Sequence, residues 1–328
     1  MNLYYKYDAA ACIYHMLWDD LLQIWHLEQK HPDFNLIFDD VSAGRWNAKH
    51  FENLFPKMPD WTDWIKLVKK KNIIKLSETA QKKFDYNLKL TTSMDIKYEI
   101  EPKARYPLSS ASRWHKVKTN YNLTDFANTI LESLNIERNP NPQNCIFVER
   151  ANGTRSVLNS SEVIDQLKSY GYNFTHHTLE GTDLRWQVKL FNDAKWVISP
   201  EGSNLTHEMF MQPKSKVTVI YPEQYRWESF HPMFCKVYDL EYQSVTALPW
   251  DESCISPNHE WCFKKLNQQI DNLNQKVNYE ELYHLKGLFF HGCHISGDYP
   301  EEVINNRWLK NAVKNQNMFV DVKDIVNL

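Results

Sequence analysis

Between Cys145 and Pro222 the chain alternates short apolar runs with amphipathic stretches and leaves almost no residues over. No other feature restricts the fold as strongly. Cys145-Ile-Phe-Val-Glu149 has the composition of a buried strand. Asn159 with Glu162 three residues later reads as a capping-box start to a helix whose apolar stripe is Val163, Ile164 and Leu167, and Gly171 stops it. Asn173 to Leu179 is a second strand, and it leads to a helix begun by Thr182 with Leu184, Val188 and Phe191 at helical spacing. A third strand, Trp196-Val-Ile-Ser199, ends in the tight loop Pro200-Glu201-Gly202-Ser203-Asn204, where another helix starts at once and a fourth strand follows. Strands separated by helices pair in parallel, so this loop lies at the carboxyl edge of a sheet, where ligands bind and the N–H groups of the next helix attract phosphate.

The rest of the chain is compatible with a second α/β unit. A helix around His15 to Trp25, a strand at Asn35-Leu-Ile-Phe38, an amphipathic helix running to Val68 and a strand at Asn72-Ile-Ile74 are expected before residue 120. The basic run Lys66 to Lys71 reads as a solvated helix face. Proline pairs in Glu101 to Pro107 and Asn139 to Gln143 mark loops or hinges, and residues 260 to 285 and 301 to 314 read as polar helices. Three parts are expected: 1–140, 141–255 and a helical tail 256–328 packing across both. A chain of 328 residues with 42% apolar content is long enough for two cores, and a net charge of −3 gives no reason to expect nucleic acid or an anionic membrane as partner. No stretch approaches a membrane span, and Met1-Asn-Leu-Tyr-Tyr lacks the pattern of a signal peptide, so a cytoplasmic location is the expectation for the chain as it stands. The sequons at Asn122, Asn152, Asn159, Asn173 and Asn204 are therefore read as accidents of an Asn-rich composition. Six scattered cysteines resemble no disulfide framework, and the Cys/His-rich tail around His259, Cys262, His291, Cys293 and His294 matches no standard zinc spacing.

Arg150, Arg155, Asn159, Glu162 and Gln187, then Glu201-Gly-Ser-Asn-Leu-Thr-His-Glu-Met-Phe210 with Pro213 and Pro222, resemble the C-terminal half of glycosyltransferase family 61. Tyr14-His15-Met-Leu-Trp-Asp19-Asp20 is similar to that family's His-x-x-x-Asp segment. The resemblance covers roughly residues 10 to 30 and 145 to 225. It implies a GT-B-like architecture, two Rossmann-like domains facing a cleft, and inverting transfer of a sugar from a nucleotide diphosphate donor, UDP-sugar by preference, to a glycan, glycoprotein or polysaccharide hydroxyl. The family's usual His stands where this chain has Glu201, and its usual acidic residue on the next strand is Val219 here. Glu201 or Glu223 is expected to take over the missing polar contacts to the sugar or ribose.

Inverting transfer needs a group that takes the acceptor's proton and groups that hold the departing diphosphate. Arg150, Arg155 and the backbone N–H groups at Ser203 and Asn204 suit phosphate oxygens without a metal, and no cofactor beyond the donor is expected. Asn159, Gly202 and Glu223 complete the expected donor site. His15 and Asp19, four apart on a helix, are the candidate base and its partner, with Arg113-Trp114-His115 behind them. Two other readings stay open. Asp39 and Asp40 after Leu36-Ile37 could hold a metal in a GT-A-type transferase, or the fold could persist in a non-catalytic glycan-binding protein.

Overall fold

The computed structural model describes residues 2–6, 13, 15–39, 61–75, 88–90, 123–150, 155–222, 231–247 and 317–326. Two parallel sheets organise them. The first runs β3-β2-β1-β4, built from β1 (Asn2–Lys6), β2 (Asn35–Asp39), β3 (Ile73–Lys75) and β4 (Leu88–Leu90). Between β1 and β2 lies α1, whose first part, His15–Leu21, is wound as a π-helix and continues as α-helix through Leu22–Lys30. Helix α2 (Trp61–Ile65) precedes β3. Parallel pairing of every neighbour in this sheet fits strands joined by crossovers rather than hairpins.

The second sheet has the order β6-β5-β7-β8-β9, all parallel: β5 (Asn144–Glu149), β6 (Phe174–Thr178), β7 (Ala194–Pro200), β8 (Lys216–Tyr221) and β9 (Glu241–Thr246). Helices α3 (Leu123–Ser133), α4 (Ser160–Ser169), α5 (Leu184–Asn192) and α6 (His231–Val237) accompany it, and α7 (Val322–Val326) comes from the end of the chain. Strands buried on both faces must be apolar throughout, and β5, β7 and β8 are buried from their second or third residue to their last. Alternate side chains divide between two layers. Phe147, Ile198 and Ile220 pack with α4 and with Met318, Val320 and Ile325, whereas Ile146, Val148, Val197, Val217 and Val219 pack with α3, α5, α6 and α1. Each large side chain so buried stabilises by roughly 1.5–3 kcal/mol.

Helix α1 is tied to this second layer. Trp18 lies 4.5 Å from Phe234 of α6 and also meets Phe126 of α3 and Tyr238, and Trp25 Nε1 donates to Thr129 at 3.0 Å. Among the described residues no helix is long and apolar enough to cross a membrane.

Three local expectations need correction. Lys69 is not on a solvated face: it is fully buried, 2.6 Å from Glu28 and 3.9 Å above the Phe34 ring, because the segment after α2 turns back onto α1. Asn159 makes no side-chain cap. Its Nδ2 donates to Val320 O at 2.9 Å and its Oδ1 accepts from Val320 N at 3.1 Å, so a long-range partner wins over the local one. Helix α5 starts at Leu184 with Asp183 as the cap, accepting from Trp186 N, while the Thr182 hydroxyl turns back to Leu179 O. Gly171 does stop α4, with φ +87 and Tyr172 N donating to Leu167 O, the left-handed cap that glycine alone adopts without strain. The loop Asn139 to Gln143 is pinned to the end of α5 by bonds from Asn139 to Asn192 and Asp193. Cys145 is buried as expected, and it and Cys235 are free thiols.

Candidate functional site

The order β6-β5-β7 places the reversal of the chain's winding between β5 and β7. The crossover from β5 goes outward to β6, and the next returns past β5 to β7. At such a point the loops leaving the two strands part and open a crevice at their carboxyl ends. The loop after β5 carries Arg150 and Arg155, and the loop after β7 carries Glu201 and Gly202. A Cβ added to Gly202 would overlap Arg150 Nη1 and stand 3.4 Å from its Cζ and 3.9 Å from Arg155 Nη1, so both guanidinium groups converge on this glycine. Here the glycine is needed for close approach, not for its backbone angles.

Arg155 is an ion pair with Glu201, and its Nη1 also donates to Glu201 O at 3.2 Å. Both side chains are mostly buried, 13% and 15% exposed, and Arg155 Nε is buried with no hydrogen-bond partner. The Arg155 backbone sits at φ +55, in the left-handed region that costs a non-glycine residue about 1–2 kcal/mol. A loop that keeps this conformation is over-determined by its surroundings. Glu149 supplies part of the constraint. One carboxylate oxygen accepts from Arg150 N and from Val157 N, both at 3.1 Å, closing the ends of the loop. Burial pushes the Glu149 carboxyl above the usual range, against hydrogen bonds from Arg150, Val157 and Ser160. The end of the chain supplies the rest: Ser156 N donates to Asn317 Oδ1, Leu158 N to Met318 O and Met318 N to Ser156 O.

The segment Ser203–Phe210 is a helix, as the sequence suggests, but 3₁₀-wound. Ser203 is partly exposed at its start, and Asn204 is buried with Nδ2 3.4 Å from Glu149 O, which anchors the helix to β5. At the other end Arg138 donates to Phe210 O and Met211 O and satisfies the helix's last carbonyls. His207 is fully buried, stacked on Phe191, with Nδ1 2.9 Å from Asn204 O and Nε2 unpartnered; burial lowers it to about 4, so it is a neutral core residue.

Beneath this helix lies a polar group that the sequence reading did not single out. Glu208 is buried, with Oε1 3.3 Å from His231 Nδ1 and Oε2 3.8 Å from Cys235 Sγ. Burial pushes Glu208 up, and the pair with His231 opposes this. Burial alone would lower His231, but the Glu208 carboxylate, with Glu201, outweighs it and raises the imidazole above its ordinary value. A charged residue inside the apolar stripe Leu205, Met209, Phe210 was the available signal for Glu208; nothing local pointed to His231.

Of the expected site residues, the structure thus brings together Arg150, Arg155, Glu201, Gly202, Ser203 and Asn204, and puts Asn159 nearby but engaged with Val320. His15 and Asp19 lie in the π-wound start of α1, and their side chains, like that of Asp39, are outside the described ones. Asp40, Arg113-Trp114-His115, Glu223 and the Cys/His-rich tail also fall outside the described residues. A separate groove of about 420 Å³, lined by Asn144, Tyr172, Asn173, His177 and Lys195 among others, lies at the amino ends of β5, β6 and β7, away from the arginines.

Residues 104–218, about a third of the chain, match the family model Glycosyltransferase 61. That stretch is similar to the glycosyltransferase 61 family. The matched stretch includes β5 to β7, both arginines and the whole Gly202 loop, so it takes in the reversal of the sheet. It makes this protein an enzyme of the glycosyltransferase class. No curated protein matches the chain.

Proposed function

We propose that the enzyme moves a sugar from a nucleotide diphosphate donor, UDP-sugar by preference, to a hydroxyl of a glycan or glycoconjugate, with inversion and without a metal. The convergence of Arg150 and Arg155 on Gly202 at the sheet's reversal point carries this reading. Two guanidinium forks present N–H donors to phosphate oxygens and neutralise the charge that builds up on the departing diphosphate. Arg155 exchanges its bond to Glu201 for one to phosphate when the donor arrives, and Glu201 is then released toward the donor's sugar. Asn159 holds the loop, while Ser203 and Asn204 offer backbone N–H groups at the start of the 3₁₀ helix. Glu223, soon after β8, is assigned to the ribose. His15 and Asp19, on the first sheet's helix, are assigned to the acceptor: Asp19 orients His15, and His15 takes the acceptor proton as the new bond to the anomeric carbon forms. Two Rossmann-like domains facing a cleft, the GT-B arrangement, would place them there.

The test is hydrolysis of a panel of UDP-sugars without acceptor, in excess chelator, with uridine diphosphate release as readout. One donor should turn over slowly and lose that turnover with Arg155→Ala. Loss of all turnover on chelation, restored by Mn²⁺, would instead favour the Asp39 and Asp40 reading. Tight UDP binding with no hydrolysis of any donor and no transfer to any glycan would favour a glycan-binding protein that kept the fold.

A further inference from the structure

A side chain is aimed by whatever fixes its backbone, and for Arg155 that is a segment far away in the chain. Ser156 follows Arg155 and commits all three of its polar groups to neighbours. Its N–H donates to Asn317 Oδ1 at 3.0 Å, its carbonyl accepts from Met318 N at 2.8 Å, and its hydroxyl donates to Arg150 O at 3.2 Å. Ser156 therefore joins both arginines to the segment that starts at Asn317. Val157 continues the attachment as a parallel bridge to Met318, and Leu158 N donates to Met318 O at 2.8 Å.

The segment is itself held by the sheet. Met318, Val320, Val322 and Ile325 are buried among Phe147, Ile198 and Ile220 of β5, β7 and β8. Gln243 of β9 adds bonds from Nε2 to Asp324 O and Ile325 O at 3.1 and 2.9 Å. Asn317, 6% exposed, has the most direct hold on the arginine. The N–H it accepts from belongs to the peptide plane between Arg155 and Ser156, and rotation of that rigid plane is the ψ angle of Arg155. Arg155 sits at φ +55, a conformation that a non-glycine residue keeps only where its surroundings impose it.

We infer that Asn317 is a positioning residue for the donor: by fixing the peptide after Arg155 it aims the guanidinium at Gly202, where, on the reading of Arg155 as a diphosphate ligand, the phosphates bind. The segment Asn317–Val326, outside the residues 104–218 that match the family model, then belongs to the donor site without touching the donor. The coupling runs both ways. If the held loop binds diphosphate better, diphosphate tightens the hold by the same factor.

The experiment is titration calorimetry of UDP, with uridine alongside, on the wild type, Asn317→Ala, Arg155→Ala and the two substitutions combined, each checked for an unchanged melting profile. Arg155→Ala should weaken UDP and spare uridine. Asn317→Ala should raise the Kd for UDP about three- to tenfold, the range of one net hydrogen bond, with uridine unchanged. Added to Arg155→Ala it should weaken UDP no further, because the arginine it positions is gone. An unchanged UDP Kd in Asn317→Ala, equal weakening with and without Arg155, or equal weakening of uridine overturns the inference. If Asn317→Ala does not fold, hydrogen exchange on the wild type decides. Saturating UDP, but not uridine, should slow exchange around residues 155–159 and 317–320, and no slowing overturns the inference as well. No UDP binding by the wild type, or UDP binding indifferent to Arg155→Ala, overturns the donor reading instead.

Discussion

Gly202→Ala is the most incisive single substitution, because the backbone there is extended, φ 160, and accepts alanine without strain. Only the space is wrong. The new methyl would overlap Arg150 Nη1 and come within 3.9 Å of Arg155 Nη1. The obstacle is the end of a flexible side chain, so the guanidinium swings aside and the fold loses less than the ~1–3 kcal/mol typical of an overpacked core. Donor binding loses more. A charge-assisted hydrogen bond contributes ~1.5–3 kcal/mol, so displacing Arg150 should raise the Kd for UDP roughly 10- to 150-fold. Uridine, which lacks the diphosphate, should change less than twofold. Calorimetry with both ligands, beside a thermal melt, separates the cases. Unchanged UDP affinity would show that Arg150 does not hold phosphate from this position. Equal weakening of uridine would show that the loop's shape matters, not the guanidinium.

His15→Ala and Asp19→Asn should each lower kcat by ~100-fold or more with the donor Kd unchanged, in steady-state kinetics on melt-checked protein. His207, whose folded value of about 4 lies below the 6.5 of an exposed imidazole, contributes stability that is full above pH 6.5 and is lost as pH falls through 4. The loss should be on the order of 3 kcal/mol by urea unfolding, and His207→Leu should flatten that part of the profile. Lys69→Ala should cost about 3–5 kcal/mol by leaving Glu28 unpaired, and Lys69→Met with Glu28→Leu should recover most of it. Asn159→Ala should lower the melting temperature by breaking both bonds to Val320, and weaken UDP and uridine alike, since it holds the loop as a whole.

The second sheet could be read from the sequence because a parallel strand buried on both faces needs a nearly continuous apolar run, and β5, β7 and β8 each have one. Strand β6 was legible despite its half-exposed face, since Gly171 and the next helix frame it. In the first sheet, β2 and β3 were visible from adjacent aliphatic residues, Leu36-Ile37 and Ile73-Ile74, whereas Asn2–Lys6 and Leu88–Leu90 contain no such pair. Arg150, Arg155 and the Gly202 loop could be placed because their strands fix where they end. Asn159, Lys69 and His231 were misread or missed for a shared reason: each is decided by a partner remote in the chain, Val320, Glu28 or Glu208, and local spacing carries no trace of it.

The bond between Asn159 and Val320 spans 161 residues, and it sets a timetable as well as a shape. Strands β5 to β8 can pair once Tyr221 has been made, but the residues that clasp the Arg155 loop come about 100 residues later. At a synthesis rate of roughly 5–20 residues per second, the young chain spends on the order of 5–20 s with its sheet assembled and its arginine loop unclasped. During that interval the polypeptide already resembles its mature self to a chaperone but not to a nucleotide.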